Sequence, residues 1–379
     1  MGYVAVRGGG KAIEASLALL EHERVRSSAP WGTEDIEGTF PELIDQVMGE
    51  ASLYAPRLAA LALKQAQGSP DEAVFLLRAF RSTLERPYVS RPIDTGRMRA
   101  QRRVSAAFKD VPGGQLLGAT RDYSHRLLEF DLETEGPKEL AAKRAAYERR
   151  FAEAAREVPE QPTELPRVLD YLRAEGLVPP RVQDDTAPVD ATMAPLSFPA
   201  PRSVRLQTLA RGMTQAVEAL GYAAIRGFGS SHPTVGELRA GRAAVAVDHP
   251  VSPGGEEDAY YLGSVPLTEV ESVFASEGEA DGTDARMTFE VGYGLVMGRA
   301  ETKAIAMSVL DHCLEHGDAR FPTEDEEFVL YHVDGVEATG FISHLKLPHY
   351  VTFQSKLASA RATAAARDEG EEVRDAAAL

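Results

Sequence analysis

The chain has 379 residues, enough for two or three domains, and its hydrophobic content of 44% is ordinary for a globular protein. A formal net charge of −17 argues against general binding to nucleic acids, and no apolar run approaches the roughly 18 residues that a membrane-spanning helix needs. The one cysteine, Cys313, rules out an internal disulfide and is typical of a reducing cytoplasm. Its helical spacing from Ile305 and Val309 predicts a buried, unreactive thiol.

At the N-terminus, a short strand over residues 3–6 is predicted to lead through Gly8, Gly9 and Gly10 into a helix over residues 12–23. A strand, a glycine turn and a helix in this order can direct backbone N–H groups at a phosphate. The stretch lacks the spacing and the Ser or Thr of a P-loop, so a tight turn without a ligand is the alternative.

A helical hairpin is predicted next, with one helix over residues 56–67 and a second that ends near Arg86. Ser69, Pro70 and Glu72 provide an N-cap, a first-turn proline and a capping-box glutamate for the second helix. These three signals together mark the start of that helix.

The hairpin leads into a basic stretch between Arg78 and Lys109, in which nine basic residues stand against two acidic ones. Because guanidinium groups match the oxygens of a phosphate, this stretch predicts a site for a polyanion. A solvated surface, or ion pairs with acidic neighbours, is the alternative.

The middle of the chain is predicted to be exposed and partly irregular. Helices are predicted over residues 138–158 and 165–175. The six prolines between Val178 and Pro201 indicate an irregular linker or an insertion that lies over the surface.

A second globular part begins near Arg202 and mixes helices with strands. Helices are predicted over residues 206–219 and 301–314, and strands over residues 243–247, 259–262, 289–297 and 328–333. Beyond Lys356, a helix is predicted to fray into a tail.

The order of these elements predicts an α+β fold, because it lacks a regular βαβ alternation. An N-terminal helical hairpin region is followed by a mixed sheet and helix domain, with the Pro-rich irregular insertion between them. The predicted domains cover residues 1–130, 131–201, 202–355 and 356–379.

Near the C-terminus, His344 and His349 stand five residues apart, with Pro348 directly before the second histidine. In a helix or a strand this spacing puts the two rings on different faces, so only a bend lets them converge. Neutral imidazole is the commonest metal ligand in proteins, which makes a metal site one hypothesis. Two ligands are one too few, and a third would come from elsewhere in the fold or from another chain. Surface or hydrogen-bonded core histidines are the alternative.

Several longer motifs occur in the same order as in a known protein family. They are Tyr3-Val-Ala-Val, Leu61-Ala-Leu-Lys-Gln-Ala66, Phe75-Leu-Leu-Arg78-Ala-Phe80, Lys109-Asp-Val-Pro-Gly-Gly-Gln-Leu-Leu-Gly118, Tyr123-Ser-His125-Arg126-Leu-Leu128, Asp325-Glu-Glu-Phe-Val-Leu330 and Ser343-His344-Leu-Lys-Leu-Pro-His349-Tyr350. With these motifs the chain resembles PhnI, a subunit family of the bacterial carbon–phosphorus lyase core complex. The resemblance covers roughly residues 3–130 and 202–355 and fades over the Pro-rich middle and the tail.

The resemblance implies a role in phosphonate catabolism. With its partner subunits, the family replaces adenine at C1′ of ATP by an alkylphosphonate in a purine nucleosidase-like reaction, giving a ribose 1-phosphonate 5-triphosphate. GTP is expected to be a further substrate of the nucleosidase reaction. The implied partners are the other carbon–phosphorus lyase subunits, including the radical iron–sulfur subunit. In the family, the two histidines of the matching segment bind zinc at the interface with that radical subunit, and here they are His344 and His349.

The implied reaction needs groups that hold the two substrates. For the triphosphate, Arg102 and Arg103 of the basic stretch and the glycine turn near the N-terminus are candidates. For the phosphonate, Arg226 and Arg299 are candidates, since each stands beside a glycine turn. Structural ion pairs are the alternative for all four arginines.

The leaving purine needs a proton, and Asp325, Glu326 and His332 are the candidates to supply it. The alternatives are carboxylates that cap a helix and a core histidine paired with Asp334. Two other functions are also considered: a scaffold that holds partner subunits and an interface zinc, and an independent metallohydrolase that takes its third ligand from His332 or Asp325.

Overall fold

The computed structural model describes residues 9–377 except for 27–30, 155–164, 183, 185, 230–231, 252–258, 278–286 and 319. The chain divides into two compact units, a larger one of residues 33–334 and a smaller one of residues 1–32 and 335–379. Gly8 and the predicted strand over residues 3–6 lie outside the described residues. The four predicted domains stay a prediction.

Most of the elements in both units are helices. They are α1 (Gly9–Arg24), α2 (Thr33–Thr39), α3 (Pro41–Ala51), α4 (Pro56–Gln65), α5 (Pro70–Arg81), α6 (Pro137–Ala154), α7 (Asp170–Ala174), α8 (Arg202–Arg211), α9 (Thr214–Ala223), α10 (Glu301–His316), α11 (Glu326–His332), α12 (Gly335–Ser343) and α13 (Tyr350–Ala377). None of the described helices is both long enough and apolar enough to cross a membrane.

The larger unit contains one antiparallel sheet with the strand order β1-β2-β3-β4. Its strands are β1 (Arg99–Val104), β2 (Thr234–Asp248), β3 (Ala259–Glu277) and β4 (Met287–Met297). The strands predicted over residues 243–247, 259–262 and 289–297 are confirmed within β2, β3 and β4. The sequence predicts no strand at β1. Helices and a sheet in one chain confirm the α+β fold.

Helix α10 packs against β4 and contributes to the main hydrophobic core, together with Val270 and Val296 of the sheet. The two elements approach closely because β4 has glycine at residues 292 and 294. A Cβ atom added there would lie 1.9 Å from the Ser308 carbonyl oxygen or 2.0 Å from that of Ala304. The helix predicted over residues 301–314 is confirmed.

The predicted helical hairpin is also confirmed, as α4 and α5 of the larger unit, but its second helix ends at Arg81 rather than near Arg86. The N–H of Glu72 donates to Ser69 Oγ at 3.4 Å, so Ser69 is the N-cap that the sequence indicates. At the other end of α5, Arg78 donates to both carboxylate oxygens of Asp334, at 2.7 and 3.0 Å.

The strand predicted over residues 328–333 is wrong, since α11 occupies this stretch. Asp325 Oδ1 accepts a hydrogen bond from the N–H of Phe328 and begins the helix. Val329 and Val333 are both buried and four residues apart, which is the spacing of one helix face. The sequence over this stretch also alternates in the way that is typical of a strand, which is why a strand is predicted there.

Other differences concern the length and continuity of helices. One helix is predicted over residues 206–219, but the chain forms α8 and α9 with a break at Gly212, where an added Cβ would lie 2.9 Å from Val333 Cβ. The exposed helix predicted from residue 138 is confirmed as α6, and the one over residues 165–175 shortens to α7. The Pro-rich segment is irregular, as predicted, but its Ala191 and Ala200 are buried in the main core.

The smaller unit is helical in its described part. Gly9 and Gly10 form the first turn of α1 rather than a turn ahead of it. Between α12 and α13, a short 3-10 helix over His344–Lys346 bends the chain. The bend that the spacing of the two histidines predicts is therefore present.

Candidate functional site

A cleft of about 1560 Å³ opens beside β1 in the larger unit. Its walls are β1 with the residues just before it, the loop over residues 119–126, and the first turn of α10 with the connection from β4. The ionisable residues of its lining are Glu42, Arg97, Arg99, Arg102, Arg121, Asp122, Arg126, Arg299 and Glu301. Six arginines and three carboxylates leave the lining positive in a protein whose net charge is −17.

A bulge in β1 decides which of its arginines line the cleft. Arg99 and Arg102 pair with Arg242 and Ala240, alternate residues that share one face of β2. The extra residue of the bulge thereby puts Arg99 and Arg102 on the same face of the sheet. Arg103 follows directly in β1 and belongs to the opposite face.

Arg102 joins the three walls of the cleft. Its guanidinium lies 2.8 Å from the carboxylate of Asp122 and 2.7 Å from that of Glu301, and it donates to the Leu117 carbonyl oxygen at 2.6 Å. The side chain is only 9% exposed. These contacts fix the guanidinium at the wall and hold the loop and α10 against β1.

The other arginines of the lining are more accessible to a ligand. Arg121 forms an ion pair with Glu42 and is 72% exposed, and Arg126 lies 3.6 Å from Asp122 and is 66% exposed. Exposed ion pairs contribute only about 0–1 kcal/mol, so an anionic ligand can replace these carboxylates at little cost. Arg99 is exposed as well.

Arg299 reaches the cleft from the connection between β4 and α10. Its backbone N–H donates to Asp45 Oδ2 at 3.1 Å, and its Nε lies 3.5 Å from the same oxygen. Burial raises the pKa of Asp45, an effect that Arg299 opposes. Gly298 adopts a φ of +82°, which favours glycine in this tight turn.

In the smaller unit, the rings of His344 and His349 come together at the bend, with centroids 5.6 Å apart. Nδ1 of His344 contacts the Phe341 carbonyl oxygen, and Nδ1 of His349 contacts the Leu347 carbonyl oxygen at 2.6 Å. Because a carbonyl oxygen only accepts hydrogen bonds, both Nδ1 atoms carry protons. In the neutral rings each Nε2 then presents a lone pair, which is the form that binds a metal.

Comparison with known proteins identifies the family to which this chain belongs. The family model described as "Bacterial phosphonate metabolism protein (PhnI)" matches residues 2–367. The chain belongs to the PhnI family. Among curated relatives, HtxH of Stutzerimonas stutzeri, which is named as a C-P lyase subunit, is 47% identical over 96% of this chain and 96% of its own.

Two further relatives carry the name alpha-D-ribose 1-methylphosphonate 5-triphosphate synthase subunit PhnI. The protein of Escherichia coli (strain K12) is 43% identical over 94% of this chain and 96% of its own. The protein of Rhizobium meliloti (strain 1021) is 41% identical over 94% of this chain and 93% of its own. The similarity therefore extends over nearly the whole length of each PhnI relative.

In this PhnI-family chain, Arg103 lies outside the cleft. Its side chain is 1% exposed, its Nε donates to Glu237 at 2.6 Å, and its other nitrogens donate to the carbonyl oxygens of Pro112, Gly114 and Pro166. Because the guanidinium is buried and these bonds occupy it, it cannot contact a nucleotide. Arg103 is therefore not among the residues that we propose to bind the nucleotide.

The three candidates for the proton donor are not part of the cleft lining either. Asp325 is the N-cap of α11, and Glu326 Oε1 accepts from the N–H of Ala200 at 2.8 Å. His332 is exposed, and its Nδ1 contacts the Phe328 carbonyl oxygen at 2.6 Å. The contacts of Asp325 and Glu326 stabilise the start of α11 and its packing. This is the structural alternative to a catalytic role for these carboxylates.

Arg226 and the glycines are also placed elsewhere. The Arg226 guanidinium lies 5.8 Å from the centre of the Tyr222 ring, at the exposed end of α9. Gly9 and Gly10 belong to the smaller unit. Of the residues predicted to bind substrate, the cleft gathers Arg102 and Arg299, and it adds other arginines that distant parts of the chain contribute.

One group of three possible metal ligands occurs among the described residues, formed by Glu290, His312 and His316. This group is not among the sites predicted from the sequence, although the four-residue spacing of the two histidines within a predicted helix is a visible signal. Cys313 lies between them in sequence and is buried, and burial raises the pKa of its thiol to about 12. The predicted burial of this thiol is thereby confirmed.

Proposed function

We propose that this chain is the α-D-ribose 1-methylphosphonate 5-triphosphate synthase subunit of a carbon–phosphorus lyase system. In this proposal it displaces adenine from C1′ of ATP by a phosphonate, with the help of partner subunits. Two relatives named as this subunit are 43% and 41% identical over 94% of the chain, which supports the activity. The same names favour an enzyme over a scaffold that only holds its partners.

The observation that carries the proposal is the arginine-lined cleft. A 5-triphosphate is the most highly charged part of both the substrate and the product, and guanidinium groups recognise its oxygens with paired hydrogen bonds. The first turn of α10 adds to the attraction, because its N–H groups have no partner within the helix and lie at the positive end of the helix dipole.

Arg99 and Arg299 are exposed and line the cleft from different elements, so one chamber can hold both a triphosphate and a phosphonate. Positive charge develops on the ribose ring as adenine leaves. The carboxylates that line the cleft, Glu42, Asp122 and Glu301, are placed to stabilise that charge or to supply a proton. They replace Asp325, Glu326 and His332 as our candidates for this role.

We also propose that His344 and His349 supply two Nε2 ligands to a zinc ion. The fixed tautomers of both rings support this, and zinc is usually four-coordinate, so two ligands leave the site incomplete. A partner subunit is the proposed source of the remaining ligands. Phe341 and Leu345 beside the histidines are 70% and 64% exposed, which suits a protein interface.

The test is the release of free adenine from ATP by the purified chain, alone and with its partner subunits, measured by chromatography. We expect Arg99→Ala to lower the rate at least tenfold, and Arg57→Ala, an exposed arginine of α4 outside the cleft, to leave it unchanged. If neither the chain nor the assembled complex releases adenine, the proposed activity is refuted. Equal rates in the wild type and the Arg99 variant would remove the cleft from the proposal.

A further inference from the structure

The C-terminal end of α10 carries a second set of ligands, separate from His344 and His349. His312 and His316 are four residues apart and so lie on one face of the helix. Glu290 of β4 faces them, and its Oε2 lies 2.9 Å from His312 Nε2 and 3.0 Å from His316 Nε2. A zinc ion with bonds of about 2.0–2.2 Å holds such atoms roughly 3.3 Å apart, and the three ligand atoms here all lie within 4.8 Å of one another.

The hydrogen bonding of His316 leaves room for a positively charged group between its Nε2 and Glu290. Its Nδ1 lies 3.1 Å from the His312 carbonyl oxygen, which only accepts, so Nδ1 carries the proton. In the neutral ring, Nε2 then presents a lone pair to a carboxylate oxygen of Glu290, which is also an acceptor. Two acceptors at 3.0 Å need a proton or a metal ion between them.

His312, the second imidazole of the group, is buried and packed against an aromatic ring. Its side chain is 5% exposed, and its ring stacks on Phe274 with centroids 3.6 Å apart and an angle of 6° between the planes. Its Nδ1 is buried and has no hydrogen-bond partner among the described residues. Nδ1 of His312 lacks a partner whether or not a metal ion binds Nε2. The missing hydrogen bond therefore does not distinguish the metal-bound site from the metal-free site.

The surroundings of these groups are suited to a metal ion. The site lies in the last turn of α10, where the helix dipole attracts positive charge. Glu290 and His316 are 37% and 36% exposed, so an ion can enter and a coordination position stays open to water. Two imidazoles and one carboxylate are the ligands of open zinc sites, whereas calcium and magnesium prefer more oxygen atoms.

We propose that Glu290, His312 and His316 bind one divalent transition-metal ion, with zinc as the favoured metal. The 16 residues of α10 separate this site from the cleft at the first turn of the helix by roughly 20 Å. The ion therefore has no place in nucleotide chemistry. It joins α10 to β4 and stabilises the element that forms one wall of the cleft.

The experiment uses the full chain with His344→Ala and His349→Ala, so that the other proposed zinc ligands are absent. After treatment with a chelator, the protein is titrated with Co²⁺, followed by visible absorption, and with Zn²⁺, followed by calorimetry. We expect one equivalent of metal per chain. Adding Glu290→Gln and His316→Ala should weaken binding more than tenfold, since loss of an outer-sphere partner alone costs about 10–100-fold. Adding His22→Ala instead, an exposed histidine of α1, should change nothing.

Thermal unfolding separates metal loss from misfolding. With a chelator present, the parent and the ligand variants should melt at similar temperatures, and added zinc should raise only the melting temperature of the parent. His316→Ala alone serves if the double variant does not fold, because that side chain is exposed. Absence of metal binding in the parent would show that a proton joins these groups, and undiminished binding in the ligand variants would show that the metal binds elsewhere. Either result would overturn the proposal.

Discussion

Arg99 and Arg103 both belong to β1, yet their side chains meet different surroundings. Arg99 is exposed in the cleft, whereas Arg103 is buried against Glu237 on the opposite face of the sheet. The bulge between them produces this difference, because it changes which residues share a face. Replacement of Arg99 and replacement of Arg103 should therefore have different effects.

Replacement of these two arginines should separate binding from stability. We expect Arg99→Ala to weaken ATP binding, with a smaller effect at high salt because salt screens an exposed charge. We expect Arg103→Met to lower the free energy of unfolding by about 3–5 kcal/mol, because it leaves a buried carboxylate unpaired. Calorimetry at two salt concentrations and urea unfolding measure the two effects.

The control for this comparison is Arg103→Met combined with Glu237→Leu, which removes both buried charges and should recover part of the lost stability. A loss of ATP binding in the Arg99 variant that is the same at both salt concentrations would contradict a direct electrostatic contact. It would instead indicate damage to the fold.

Zinc content tests the histidine pair in the assembled complex. We expect His344→Ala to remove one equivalent of zinc per chain, because the remaining imidazole and the partner's ligands cannot complete the coordination. Elemental analysis of the purified complex measures this, with His22→Ala as the matched control. Unchanged zinc in a correctly assembled His344 variant would disprove the site.

At the scale of elements, the sequence predicts the helices and strands whose ends and buried faces are indicated by residues within the element itself. The Ser69 cap and its proline define α5, and the apolar residues of β2, β3 and β4 define strands. The predictions fail where a distant contact decides the structure. Residues 328–333 alternate like a strand, but the Asp325 cap and the packing of Val329 and Val333 into the core make a helix.

In the candidate site, too, the sequence indicates single residues but not which distant residues come together. Arg102 and Arg299 could be named from composition and glycine turns, but their meeting in one cleft depends on the bulge and on α10 packing against β4. Arg121 and Arg126 come from a loop that no local pattern connects to β1. Glu290 belongs to a strand, so no spacing in the sequence links it to the two histidines of α10.

The close approach of α10 to β4 can be tested with Gly294→Ala. The added Cβ would lie 2.0 Å from the Ala304 carbonyl oxygen, so helix and strand must separate. We expect the free energy of unfolding to fall by about 1–3 kcal/mol or more, as measured by urea unfolding. Gly38→Ala in α2 is the matched control, because no atom lies within 4 Å of its added Cβ. Equal stability of the two variants would refute the close packing.

At the scale of the whole molecule, the basic stretch of the sequence divides between two environments. Part of it forms the cleft, and part joins a layer of buried charges on the opposite face of the sheet. At the centre of this layer, Glu269 accepts hydrogen bonds from Arg167 at 3.0 Å and Arg239 at 2.9 Å, and from the Tyr293 hydroxyl at 2.8 Å. The ion-pair alternative is thus realised for part of the basic stretch, and a polyanion site stays a proposal for the part that lines the cleft.

This buried layer predicts how the protein responds to acid. Burial alone would raise the pKa of Glu269, but Arg167 and Arg239 beside it lower the pKa from 4.5 to about 2. The carboxylate therefore stabilises the fold at any pH above its value in the unfolded chain, and this contribution is lost as the pH falls from about 4.5 towards 2. A shift of this size corresponds to a free energy on the order of 3 kcal/mol.

We expect Glu269→Gln to lower the free energy of unfolding at pH 7 and to flatten its decline between about pH 4.5 and pH 2, since the variant has no carboxylate to titrate there. Urea unfolding across this pH range gives the slope. Glu148→Gln, on the exposed face of α6, is the matched control and should keep the slope of the wild type. If the Glu269 variant lost stability with acid as steeply as the wild type, the buried ion pairs would not be the source of the acid sensitivity. Other carboxylates would then have to account for it.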